Sequence, residues 1–244
     1  MNRLKRALRQ IPGLATTYWN VRGLGQFVHE AYFSNVRRRM ENCHERKNWD
    51  FSTPAELERY RLILSALASE LGDATWGDAL EVGCADGIFT EQIASRCVSV
   101  TACDISQLAI ERAIARCAGC SNINLQRCDI ADTPVGCKVD LVFAMDCLEF
   151  IRDPKRLSRA ATTLVGALKP GGYLTFSGSR WPTVIRSTWW ARMFRDGADN
   201  IADYLKSDFG LNVVFEAEYE PGNSVPGYVD HILLVLQKPK DSSA

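Results

Sequence analysis

The sequence has no long hydrophobic run, and none of its apolar stretches approaches the ~18–20 residues that a membrane-spanning helix needs. Its first residues carry charge, but no apolar core follows them, so a secretory signal is not expected. We therefore expect a cytoplasmic protein. A leader that is rich in Arg and poor in acidic residues is also typical of organelle targeting, and that alternative stays open.

The chain also lacks a net charge, because 29 Lys and Arg residues balance 29 Asp and Glu residues. This balance gives no indication of a nucleic-acid partner. The charges are unevenly distributed, however, since residues 1–47 contain ten basic and only three acidic side chains. We predict a basic N-terminal arm over residues 1–48 and one folded domain over residues 49–240.

Metal-binding patterns are missing as well. The chain has nine cysteines, but the pair Cys117 and Cys120 is followed by no second pair at zinc spacing. Histidine is scarce, with three residues in total. We expect reduced thiols that pack as small apolar side chains, and no metal site.

Strand and helix patterns alternate through the middle of the chain, which predicts a parallel sheet covered by helices on both faces. Two strands around a Pro- and Gly-containing turn follow and are expected to be antiparallel. The predicted helices cover 53–71, 87–96, 106–118 and 154–168. The predicted strands cover 79–83, 98–103, 122–128, 138–145, 173–178, 211–219 and 228–237.

The most informative segment covers residues 79–87, a short apolar strand that turns through Gly83 and Gly87 into a helix. Such a turn, outside the carboxyl end of a strand, is where open α/β sheets bind ligands. A dinucleotide site would have Gly-x-Gly-x-x-Gly, but Ala85 replaces the middle glycine. Glu81 also adds negative charge where a pyrophosphate would lie. The turn therefore favours a ligand with an amine and ribose hydroxyls.

Asp104 ends the second predicted strand, 21 residues after Gly83. A carboxylate at this distance can accept hydrogen bonds from the hydroxyls of a ribose that lies over the glycine turn. The structural alternative is a helix N-cap shared with Ser106.

Together with Asp129-Ile130, Asp146 and the Leu-x-Pro-Gly-Gly element at residues 168–172, this pattern resembles the class I S-adenosylmethionine-dependent methyltransferases. The resemblance implies a Rossmann-like, doubly wound, seven-stranded and mostly parallel sheet with an antiparallel C-terminal strand pair. It also implies S-adenosyl-L-methionine as the cofactor. By resemblance, Asp129 would accept the adenine amino group and Ile130 would flank the ring.

A closer resemblance is carried by residues 48–60 and 81–91, which are similar to the NodS-type nodulation methyltransferases. It implies N-methylation of the free amine of a deacetylated chitooligosaccharide, and it places Trp49 and Arg59 at the cofactor pocket. This chain departs from the family in its N-terminal arm, in Asp146 where Glu is common, and in residues 180–195. The implied cofactor-binding residues are Trp49, Arg59, Glu81, Gly83, Cys84, Gly87, Asp104, Ile105, Asp129, Ile130 and Met145.

Two residues are candidates for catalysis. By resemblance, Asp146 would face the methionine part of the cofactor or the acceptor nucleophile. His231 begins the last predicted strand beside Asp230, and an Asp–His pair can act as a modest base. The structural alternatives are an acid that caps a strand end and a histidine with a purely structural role.

By this reasoning we expect the acceptor to be an amino sugar, an oligosaccharide or a related metabolite, methylated on nitrogen or oxygen. Alternative functions are an NAD-dependent oxidoreductase and a non-catalytic binding module in a glycan-assembly complex. The Trp- and Arg-containing residues 180–195 favour either packing on the sheet, acceptor contact or weak binding to a membrane surface. Residues 1–47 could similarly contact a membrane surface or another protein.

Overall fold

The computed structural model describes residues 40–41, 44–45, 50–134, 136, 138–151, 153–180, 197–220 and 230–240. Trp49, most of the basic arm, the Trp-rich residues 181–196 and the turn at residues 221–229 lie outside the described residues. Within the described part of the chain, no helix is long and apolar enough to cross a bilayer.

The described domain is built on one seven-stranded sheet with the strand order β3-β2-β1-β4-β5-β7-β6. Strands β1 to β5 are parallel, whereas β7 is antiparallel to both β5 and β6. The predicted mostly parallel sheet with an antiparallel C-terminal pair is therefore confirmed. The strands are β1 (Trp76–Val82), β2 (Cys97–Asp104), β3 (Ile123–Arg127), β4 (Val139–Met145), β5 (Leu168–Ser179), β6 (Asn212–Tyr219) and β7 (His231–Gln237).

Helices cover both faces of the sheet. Because alternate residues of a strand point to opposite faces, Val142 and Ala144 of β4 belong to one apolar cluster and Leu141 and Phe143 to the other. The α-helices in the described residues are α1 (Pro54–Leu71), α2 (Ile88–Ala94), α3 (Gln107–Arg116), α4 (Pro154–Ala167) and α5 (Ala198–Asp208). Helices α1 and α2 pack on one face, and α4 and α5 on the other.

Helix α1 begins where the sequence predicts, because its local signals are strong. The Thr53 hydroxyl accepts a hydrogen bond from the Glu56 amide at 3.3 Å, Pro54 occupies the first turn, and Gly72 ends the helix with a φ of 74°. The Glu56 carboxylate forms an ion pair with Arg59. Glu56 therefore compensates the charge of Arg59, which is buried on the inner face of α1.

The structure differs from the sequence prediction in three elements. Strand β1 begins at Trp76, three residues earlier than expected. Strand β5 begins at Leu168 and bulges over residues 169–172, where a separate sharp turn was predicted, and its pairing with β4 shifts between Val139 and Leu141. Helix α5 has no predicted counterpart, because Gly197 at its N-terminus offers no side-chain cap.

Candidate functional site

An open cleft lies at the carboxyl ends of β1 and β4. This is the position at which open α/β sheets bind ligands. Its wall combines main chain, carboxylates and aromatic rings, and no Lys or Arg lines it among the described residues. The lining residues are Phe51, Tyr60, Glu81, Gly83, Cys84, Ala85, Asp86, Ile88, Phe89, Met145 and Asp146.

The glycine turn forms the floor of this cleft. Gly83 and Gly87 have φ angles of 72° and 78°, and Ala85 between them also adopts a left-handed conformation with a φ of 47°. A Cβ on Gly83 would lie 2.4 Å from the Cβ of Cys147. A side chain at position 83 is therefore excluded both by the backbone conformation and by the close approach of the segment after β4.

Asp104 holds this turn against the end of β2. Its Oδ2 accepts a hydrogen bond from the Ala85 amide at 3.1 Å, and its Oδ1 accepts one from the Ser106 amide at 2.8 Å. The N-cap of α3 is Ser106, whose hydroxyl accepts from the Ala109 amide at 3.1 Å. Burial raises the pKa of Asp104, and the two amides oppose that effect. Each carboxylate oxygen still has a lone pair for a ligand hydroxyl.

Glu81 supplies a buried carboxyl to the cleft wall. Its Oε2 is buried and has no hydrogen-bond partner within the described residues. Burial raises the pKa of Glu81 to about 8; the Thr90 hydroxyl opposes this effect, and the nearby Asp104 carboxylate adds to it. An unpartnered buried carboxyl is costly in an empty protein, so a donor or cation from a ligand would stabilise it.

Arg59 reaches the opposite wall of the cleft from helix α1. The side chain is almost completely buried and forms ion pairs with Asp146 and Glu56. Its Nη1 also donates to the Ser177 hydroxyl at 2.7 Å. Arg59 does not line the cleft itself. The structure thus places this predicted cofactor-binding residue behind Asp146.

Asp146 follows β4 in a left-handed conformation with a φ of 48°. Its amide donates to the Ser177 carbonyl at 2.9 Å, and its Oδ1 accepts from the Ser177 hydroxyl at 3.1 Å. His231 Nε2 lies 3.6 Å from the same Oδ1. The two predicted catalytic residues are therefore brought together, although 85 positions separate them in sequence.

His231 is buried at the start of β7, and its Nε2 also lies 3.4 Å from the Ser179 hydroxyl. The predicted carboxylate partner was Asp230, whose side chain is exposed. The carboxylate that the structure places beside this imidazole is Asp146. Strand pairing explains the difference, because antiparallel β7 brings His231 opposite Ser179 of β5.

Asp104 and His231 are not among the residues that line the cleft, and further predicted residues also lie outside its wall. The Asp129 carboxylate accepts from Arg156 Nη2 at 2.6 Å and from the Ala131 amide at 3.2 Å, and Ile130 is buried in the apolar core. Ile105 is half-buried. Gly87 packs on helix α3, where a Cβ would lie 3.1 Å from the Cα of Ala113. The adenine-binding role of Asp129 and Ile130 stays a prediction.

Sequence reasoning missed several aromatic and acidic residues of the wall. Tyr60, Phe51 and Phe89 lie within the two segments that resemble the NodS-type enzymes, but they were not among the predicted cofactor-binding residues. Tyr60 and Phe89 are in contact, with ring centroids 4.8 Å apart. Burial raises the pKa of Tyr60, which keeps its hydroxyl neutral. Asp86 was not predicted either, although its position between Gly83 and Gly87 in the turn could have indicated it.

Glu41 and His44 lie beside the rim of the cleft. The Glu41 carboxylate accepts from the Gln107 amide at 3.1 Å, and Arg112 Nη1 donates to the His44 carbonyl at 3.0 Å. His44 Nδ1 lies 3.7 Å from Oδ1 of Asp86, which lines the cleft. The end of the predicted arm is therefore packed beside the candidate site.

Comparisons with family models and with known proteins identify the same family. The model of the family Nodulation protein S (NodS) matches residues 35–212. Nodulation protein S of Bradyrhizobium diazoefficiens is 36% identical over 133 residues, which are 54% of this chain and 62% of that protein. Nodulation protein S of Azorhizobium caulinodans is 31% identical over 162 residues, which are 66% of this chain and 74% of that protein.

A solved structure shows the same fold. It is the N-methyltransferase NodS from Bradyrhizobium japonicum in complex with S-adenosyl-L-homocysteine, with 25% identity and a TM-score of 0.68. The match covers 82% of this chain and 98% of that chain.

Proposed function

Because this chain belongs to the NodS family, we propose that it is an S-adenosylmethionine-dependent methyltransferase that acts on a nitrogen of a small molecule. The family match agrees with the resemblance that the glycine turn and the residues before it predicted. The observation that carries the proposal is the composition of the cleft. Its wall offers bare main chain, three carboxylates and aromatic rings, and no cationic side chain lines it among the described residues.

This wall fits the proposed methyl donor and does not suit a pyrophosphate. The unpartnered Glu81 carboxyl can accept hydrogen bonds from an ammonium group, and Asp104 can accept from ribose hydroxyls. Tyr60 and Phe89 offer ring faces on which a positively charged sulfur is favourable. When bound, S-adenosylmethionine supplies a methyl group that the sulfonium charge has already activated.

Arg59, Ser177 and Asp146 define the acceptor side of the cleft. The Arg59 guanidinium and the Ser177 hydroxyl fix the Asp146 carboxylate, which in turn lies beside the His231 imidazole. We propose that His231 accepts a proton from the acceptor nucleophile and that Asp146 holds the imidazole in place. Orientation of the nucleophile is the main requirement for methyl transfer, and proton removal assists it.

Nitrogen is preferred to oxygen as the acceptor atom for two reasons. The NodS protein of known structure is described as an N-methyltransferase. Among the described residues, the acceptor side also holds more carboxylates than guanidinium groups, since Glu56 and Asp146 share one Arg59. This arrangement favours an acceptor that carries positive charge. An amino sugar or a deacetylated oligosaccharide would meet this requirement.

A transfer assay tests the proposal. Purified protein is incubated with S-adenosylmethionine labelled in its methyl group and with glucosamine oligomers, matched N-acetylglucosamine oligomers and a panel of catechols. We expect label on the free amines and none on the acetylated controls. Transfer to catechol oxygens alone would overturn the nitrogen assignment, and no transfer to any of these acceptors would contradict the proposed enzyme.

A further inference from the structure

A second buried carboxyl lies beside the acceptor side of the cleft and has no role in the function proposed above. Glu149 follows Asp146 by three residues, in the short 3-10 helix Leu148–Phe150. Its Oε1 accepts from the Ser179 amide at 3.3 Å. Its Oε2 is buried and has no hydrogen-bond donor in the part of the chain that the structure describes.

Glu149 belongs to a contiguous group of polar side chains, here called the acceptor cluster and made up of Asp146, Glu149, Ser179 and His231. Ser179 joins its members, because its amide donates to Glu149 and its hydroxyl lies 3.4 Å from His231 Nε2. The same Nε2 lies 3.6 Å from Asp146, which lines the cleft. Glu149 is not itself among the residues that line the cleft, and three contacts of 3.3 to 3.6 Å, through Ser179 and His231, connect it to Asp146 of the cleft wall.

The charges around Glu149 do not balance. From β4, Asp146 adds negative charge, and from α1 the single Arg59 guanidinium is already paired with Asp146 and Glu56. From α5, Asp199 is paired with Arg180. Burial, together with the Asp146 carboxylate, raises the pKa of Glu149 to about 8, and the Ser179 amide and the Arg59 guanidinium oppose this effect only in part.

We propose that Glu149 is the residue that selects a cationic amine as the acceptor, by pairing its carboxylate with the acceptor's ammonium group. The inference rests on the proposed function and assigns its amine preference to one side chain. In the part of the chain that the structure describes, Oε2 has no donor and Arg59 is already paired with two carboxylates, so an ammonium group would supply both a donor and a positive charge. An acetylated or hydroxyl acceptor supplies no charge and would leave the carboxyl uncompensated.

The Glu149→Gln variant tests this inference, because glutamine keeps the shape and can still accept from the Ser179 amide. Affinities are measured by calorimetry for the glucosamine tetramer and the N-acetylglucosamine tetramer, using protein saturated with S-adenosylhomocysteine. We expect the wild type to prefer the free amine by about tenfold or more, as a charge-assisted hydrogen bond implies. The variant should prefer it by less than about threefold, with cofactor affinity within about twofold of the wild type.

A matched control removes the same charge elsewhere. Glu70→Gln lies on an exposed part of α1 and should keep the full amine preference. An unchanged preference in Glu149→Gln, or the absence of a preference in the wild type, would overturn the role of Glu149. Wild-type protein that binds no S-adenosylhomocysteine would instead contradict the proposed function, so the two failures are distinguishable.

Discussion

At the scale of single residues, the sequence predicts the glycine turn, but it does not predict the left-handed backbone conformation of Ala85 within that turn. Gly83 and Gly87 were expected to take positive φ, and they do. Ala85 and Asp146 adopt the same region without any sequence signal, since L-residues favour it only when surrounding contacts hold them there. For Ala85 that contact is the hydrogen bond from its amide to Asp104.

The turn should not tolerate a side chain at position 83. We expect Gly83→Ala to lower the free energy of unfolding by roughly 2–4 kcal/mol, because a left-handed backbone and overpacking against Cys147 act together. Urea denaturation measures the loss. Gly166→Ala is the control, since its Cβ would meet no atom within 4 Å and alanine suits the interior of helix α4. Equal stability of the two variants would contradict the close approach.

The buried carboxyls predict an unusual dependence of stability on pH. The pKa values of Glu81 and Glu149 are about 8 in the folded protein, above their ordinary value of 4.5. Between these values the folded chain binds more protons than the unfolded chain, so these groups make stability fall as pH rises through that window. Each unit of such a shift corresponds to about 1.4 kcal/mol.

Thermal unfolding at intervals from about pH 5 to pH 8 checks this expectation. The midpoint of Glu81→Gln should fall less steeply than that of the wild type, because the variant has no carboxyl to ionise in the cleft wall. The exposed-site variant Glu70→Gln should follow the wild-type slope. Parallel slopes for all three proteins would show that Glu81 ionises normally.

At the scale of elements, local signals fixed some boundaries and long-range contacts decided others. Thr53, Pro54 and Gly72 made helix α1 predictable. Helix α5 was missed for lack of a cap, and β5 starts earlier than predicted because Leu168 pairs with Val139. The contact of Arg59 with Asp146 joins α1 to the end of β4, and no local pattern could reveal it.

This contact should hold α1 against the sheet. We expect Arg59→Met to lower the free energy of unfolding by about 3–5 kcal/mol, because it leaves the Asp146 and Glu56 carboxylates without their buried partner. Arg61→Met is the matched control on the same helix, since the Arg61–Glu58 pair is exposed and is worth at most about 1 kcal/mol. Similar losses from both variants would mean that the buried pair contributes no more than a surface pair.

At the scale of the whole molecule, the alternation of strands and helices predicts a parallel sheet covered on both faces. The family resemblance gave the number of strands and the antiparallel C-terminal pair. The strand order and the edge strands were not predicted, because hydrophobic periodicity contains no information on neighbours within a sheet. The acceptor cluster could not be foreseen in full. Its members lie at the ends of β4, β5 and β7, and only the sheet brings them together.

The boundary of the predicted N-terminal arm stays a prediction, and the contacts of Glu41 and His44 beside the cleft give a way to test it. We expect deletion of residues 1–39 to leave the affinity for S-adenosylhomocysteine within about threefold. Deletion of residues 1–45 should weaken it by about tenfold, because Glu41 and His44 no longer cover the rim near Asp86. Calorimetry compares the two proteins. Equal affinities would show that residues 40–45 have no part in the site.

The central claim is that the cleft between the glycine turn and Asp146 binds an adenosyl sulfonium, with Asp104 accepting hydrogen bonds from its ribose. Calorimetric titration of the full chain and of Asp104→Asn with S-adenosylhomocysteine tests it most directly. We predict one binding site per chain in the wild type. In the variant the binding free energy should be less favourable by about 1–3 kcal/mol. Absence of binding heat in the wild type, or equal affinity in both proteins, would contradict the claim.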